Sequence, residues 1–176
     1  MVRPEMKTKD LTLMGILTAL ALALSLVERM IPLELLIPLP GVKLGLANTV
    51  TLFALYRLSP AQAALILTAR CLLTAAFSGN MTGLAFSMAG GLISLGVMAA
   101  ARHSRHLSVF GVSVLGAAGH NFGQILTARL LMNSPYIWGY LPYLLLIGTA
   151  CGLATGAVGA GVLRALGAAG KSLRGA

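Results

Sequence analysis

Long apolar runs alternate with short polar breaks along this chain, and most of the runs have the length that crosses a bilayer. Six candidate spans follow, at about 11–29, 43–57, 60–77, 84–101, 110–132 and 138–164. A helix needs ~17–25 residues to cross the hydrocarbon core. The second run is therefore short and is expected to be tilted, broken or partly re-entrant. The first run, Leu11 to Val27, is too long for the core of a signal peptide, and Glu28 and Arg29 follow it instead of a small-residue cleavage site.

The breaks between runs alternate in charge. Arg3, Lys7 and Lys9 precede the first run, and Glu28 and Glu34 balance Arg29 and Lys43 in the first loop. Arg57 stands in the second break, and the third, Ser78 to Gly83, has no charge. Arg102 and Arg105 stand in the fourth break. The fifth, Asn133 to Gly139, is uncharged, and Arg164, Lys171 and Arg174 follow the last run. Positive segments stay on the cytoplasmic side. The expected protein is all-α: a compact bundle of six transmembrane helices in the cell membrane, with both termini cytoplasmic. Residues 1–10 form the N-terminal segment, 11–164 the six-helix domain and 165–176 the tail. Tyr136, Trp138, Tyr140 and Tyr143 would form an aromatic belt at the outer interface.

Composition supports this reading. Of 176 residues, 57% are hydrophobic and 10% charged, against about 25% charged in soluble domains. No polar stretch is long enough for a separate soluble domain. The net charge of +9 would suggest a nucleic-acid partner in a soluble protein. Here the basic residues lie at the ends of apolar runs, where they read as topology signals and contacts to anionic lipid. Cys71 and Cys151 each lie inside an apolar run and read as packing residues.

Small residues recur at four-residue spacing: Gly15, Ala19 and Ala23 in the first span; Gly83, Ser87 and Gly91 in the fourth; Gly119, Gly123 and Thr127 in the fifth; Gly148, Gly152, Gly156 and Ala160 in the sixth. Such stripes let helix backbones approach closely in lipid. Those of spans four to six read as internal packing, whereas the first could face a partner. The first loop, Ile31 to Val42, is apolar and holds Pro32, Pro38 and Pro40. It reads equally as a lid over a cavity or as an interfacial loop.

Polar groups inside the spans carry the candidate chemistry. A charge at the centre of a membrane helix costs about 2.5–3.5 kcal/mol even on a lenient scale. Arg70 lies midway along the third span, and all four acids (Glu5, Asp10, Glu28 and Glu34) fall at or outside span ends. That leaves Arg70 without a membrane carboxylate. His120, Gln124 and Thr127 share one helical face, with Asn121 on its flank. Asn48 lies one to two turns into the second span, Lys43 at its outer end, and Asn80 in the third loop. Arg129 can bind or snorkel. Lys43, Asn48, Arg70, Asn80, His120, Asn121, Gln124 and Arg129 could converge on an outward-opening pocket for a small anion. The alternative is hydrogen-bonded glue between helices.

Two further patterns carry little. His103 and His106 form an HxxH without a carboxylate or cysteine nearby, too few ligands for a metal. Residues 165–172 nearly spell a phosphate-binding loop, but that motif needs a preceding strand. No cofactor is expected.

The runs Pro40 to Asn48, Ser87 to Ser94 and Gly111 to Gln124 resemble signatures of the Gx transporter family, often labelled heptaprenyl diphosphate synthase component I. That family looks related to the substrate-binding S components of energy-coupling-factor transporters. The resemblance implies a six-helix subunit that holds a small molecule near the outer face. It would work with a membrane T component and a pair of ATPases, contacted through Gly15, Ala19 and Ala23. The synthase label implies a different role, a membrane accessory to a soluble prenyl synthase. Independent prenyl transfer is not expected. Such enzymes hold magnesium diphosphate with clustered aspartates, hard oxygen ligands for a hard cation, and Asp10 is the chain's one aspartate.

Overall fold

Capping residues and glycines punctuate the apolar runs into helices. The structure, a computed structural model, describes residues 8–30 and 45–172, with side chains as far as residue 166. Among them are six α-helices: α1 (Thr8–Glu28), α2 (Asn48–Arg57), α3 (Pro60–Ser78), α4 (Met81–Ala101), α5 (Val109–Met132) and α6 (Leu141–Ser172). A 3-10 turn, Pro135–Tyr140, leads into α6.

The boundaries have local causes. Ser59 and Gln62 form a reciprocal capping box at the start of α3, with Pro60 at its first position. Gly79, in the left-handed region at φ 62°, ends α3. Asn80 then accepts from the Gly83 amide at 2.6 Å and starts α4. Ser108 caps α5 in the same way.

Four helical stretches are long and apolar enough to cross a membrane: α1, α3, α4 and the run from Pro135 to Leu166 that includes α6. The other two depart from that pattern for separate reasons. Helix α5 is long, but its polar residues dilute its hydropathy. Helix α2 has 10 residues and rises about 15 Å, half of a ~30 Å hydrocarbon core. Helix α6 continues to Ser172, beyond the expected end at 164, so the stretch resembling a phosphate-binding loop is helical. The proline-rich first loop, with its lid reading, lies outside the described residues.

Short α2 is the hub, packing against each of the other five helices. Val50, Leu52, Phe53, Ala54 and Leu55 place it in the main core with Met14, Leu17, Ile66, Leu95, Met98 and Val112. Helices α4, α5 and α6 form a tight layer through their small residues. A β-carbon on Gly123 would stand 2.7 Å from Gly90 Cα, and one on Gly152 would stand 2.8 Å from Val114 Cα. The α1 stripe differs. Nothing lies within 4 Å of a β-carbon placed on Gly15, and Ala19 and Ala23 are exposed. Among the described elements, α1 touches only α2 and α3.

Candidate functional site

Near the α1 C-terminus, polar groups from four segments meet inside the apolar bundle. Helix α1 buries one stripe, Met14, Leu17, Ala21, Ser25 and Glu28, so its last two inward positions are polar. The Arg70 side chain, 5% exposed, reaches from the middle of α3. Its Nη1 donates to Ser25 Oγ at 3.0 Å and its Nη2 to Asn48 Oδ1 at 3.4 Å. Both acceptors are neutral. Nε is buried and has no acceptor among the described residues.

Gly45, Leu46 and Ala47 form the turn that starts α2. Gly45 has a φ of 80°, a left-handed geometry that glycine adopts without steric cost. Its carbonyl accepts from the Asn48 amide at 2.8 Å. Its own amide donates to the Glu28 carboxylate. Glu28 is 3% exposed, so it is not a residue of the first loop, where the charge pattern puts it. It is the inward-facing last residue of α1. This corrects the expectation that all acids stay out of the buried region. One turn links a buried carboxylate to the network around Arg70.

His120 closes the cluster from α5. A β-carbon on Gly45 would stand 3.2 Å from its Cδ2, and one on Gly90 would stand 2.8 Å from its Nδ1. The imidazole therefore fills a slot between the Gly45 turn and α4 that only glycine on both sides leaves open. Gln124, fully buried, follows one turn later on the same face of α5. Between α3 and the start of α4 lies a crevice of about 10 Å³, lined in part by Arg29, Thr74, Asn80 and Ser87, room for about one water.

The other expected site residues fall elsewhere. Asn121 donates to the Leu144 carbonyl and packs against Gly148, so it joins α5 to α6. Asn80 is exposed and serves as the α4 cap. Arg129 donates to Asn133 at 3.1 Å, at the far end of α5. Lys43 lies outside the described residues. Ser25, Glu28 and Gly45 were not among the expected site residues. For Ser25 and Glu28 the signal was the three-to-four-residue spacing from Ala21, which aligns them on one face of α1. His103 bonds back to the Ala99 carbonyl, and no group of three or more metal-ligating side chains occurs among the described residues.

These features define a class: an all-helical, membrane-type protein with a buried, charge-bearing polar cluster near one end of its bundle. The chain belongs to the heptaprenyl diphosphate synthase component I family, whose pattern it matches over residues 17–162. No curated protein and no solved structure matches the chain.

Proposed function

We propose that this protein is a non-catalytic, substrate-binding membrane subunit for uptake of a small anionic molecule, powered by a partner ATPase module. The observation that supports this reading is Arg70. A guanidinium is costly to bury, and this one is spent on two neutral side-chain oxygens with Nε left over. An anion accepting from Nε would complete it by a charge-assisted bond. Asn48, Ser25 and His120 would surround that anion, and Glu28 would hold the Gly45 turn in shape. Lys43 belongs to the same reading as a second cation from the first loop. The exposed Gly15, Ala19 and Ala23 face would meet the T component.

The test is native mass spectrometry of the purified protein, searching for a retained small molecule. Arg70→Ala is expected to abolish retention while the protein stays helical in detergent. Undiminished retention by a folded Arg70→Ala protein would sink the reading.

The family name favours a second reading, a membrane accessory to a soluble prenyl diphosphate synthase. Under it, the protein co-purifies with an aspartate-rich synthase and alters the chain length of its product. Unchanged product length in the presence of the membrane subunit would exclude it.

A further inference from the structure

The opposite end of the bundle carries a cleft of about 560 Å³ between the ends of α2, α4, α5 and α6. We propose that this cleft binds the phosphate head group of an anionic membrane lipid. The proposal is independent of the Arg70 cluster.

Two arginines line the cleft, and none of its described lining residues is an acid. Arg102 is half-buried, and its Nη1 donates to the Leu55 carbonyl. That bond fixes the guanidinium over the end of α2 and leaves its other N–H groups for a ligand. Arg164 is exposed and has no hydrogen-bond or ion-pair partner among the described residues. Of the described acids, Asp10 is on α1, which touches neither α4, α5 nor α6, and Glu28 belongs to the cluster at the other end. The Tyr56 hydroxyl adds a neutral donor to the same wall. Two guanidinium groups in a cleft match a phosphate, whose oxygens accept paired N–H bonds.

Apart from Ser108 the rest of the lining is apolar, which selects a lipid over a free anion. Leu107 and Phe110 line the cleft and are each 37% exposed. Leu115 of α5 and Val158 and Val162 of α6 are exposed too, so the same two helices carry further apolar surface. An anionic head group in the cleft would therefore leave its acyl chains on a hydrocarbon-like surface. Inorganic phosphate would gain nothing from that surface.

The experiment uses the full chain in detergent, incubated with phosphatidylglycerol or phosphatidylcholine and read by native mass spectrometry. Retention of one phosphatidylglycerol in preference to phosphatidylcholine is expected. Arg164→Gln should weaken retention about fivefold, and Arg102→Gln with Arg164→Gln about thirtyfold. Since Arg102 also holds the Leu55 carbonyl, the double variant can lose its fold. Arg164→Gln, which removes no internal bond, then decides the matter alone, with circular dichroism confirming helicity. Equal retention of the two lipids would overturn the proposal, as would parental retention by folded Arg164→Gln. Displacement of the lipid by inorganic phosphate at equal concentration would overturn the lipid assignment in favour of a free anion.

Discussion

Gly123→Ala tests the closeness of the α4–α5 seam on which His120 is mounted. The added β-carbon would lie 2.7 Å from Gly90 Cα and 2.9 Å from both Ala89 O and Gly90 N. Carbon atoms rest at about 3.5–4.0 Å, so the seam must open by roughly 1 Å. All three neighbours are backbone atoms, and no side-chain rotation relieves the clash. Over-packing of a close-packed interior costs about 1–3 kcal/mol, and a rigid backbone contact belongs at the upper end. A loss of about 2–3 kcal/mol is therefore expected, a factor of roughly 30–150 in the unfolding equilibrium. The internal control is Gly15→Ala, where nothing lies within 4 Å and the change should stay within about 0.5 kcal/mol. Both are measured by titrating a denaturing detergent into mixed micelles and following helicity by circular dichroism. Equal midpoints for the two variants would refute the close approach of α4 and α5, and with it the glycine-lined slot for His120.

Glu28→Gln keeps an acceptor for the Gly45 amide but removes a buried negative charge from the Arg70 network. Retention of a bound anion in native mass spectrometry should rise several-fold, and a fall would show that the carboxylate helps bind the ligand. Asn121→Ala should cost about 1–2 kcal/mol by removing the donor to the buried Leu144 carbonyl, with unchanged ligand retention; lost retention at unchanged stability would return Asn121 to the site. Ser59→Ala should cost about 1 kcal/mol in the same detergent titration through loss of the α3 capping box, and an unaltered midpoint would count against that cap. Ala19→Leu should leave stability within about 0.5 kcal/mol yet lower co-purification of a T component, and undiminished capture would remove α1 as the contact face.

The helices were legible because burial in lipid writes itself as long apolar runs; the caps at Ser59, Asn80 and Ser108 came from the structure. The shortness of α2 was legible for the same reason. Arg70 and His120 stood out by their cost in an apolar run, and the structure puts both in one cluster with Asn48. Charge counting misassigned Glu28. A carboxylate near a span end reads as solvent-facing until helical phase is considered, and the phase set by Ala21 and Ser25 turns it inward. Asn121 was harder to place. One residue on from His120 is about 100° around a helix, which points it at α6 rather than α4, and no sequence pattern says which neighbour stands there. Asn80 had a local signal in its position three residues before Gly83, but its amide chemistry made it look like a ligand group. Arg129 lies at the C-terminal end of α5 with Asn133, where a long cationic side chain reaches polar surroundings at little cost.

Among the described elements α1 packs only against α2 and α3, yet it supplies Ser25 to the Arg70 guanidinium and Glu28 to the Gly45 amide. Both contacts come from its last turn, while its small-residue face points away from the bundle. The helix is thus a handle on the cluster. A pull on its free face that shifts the last turn by a couple of ångströms breaks both hydrogen bonds together. It frees a second guanidinium edge on Arg70 and releases the glycine turn that carries Asn48, with the α4–α6 layer left in place.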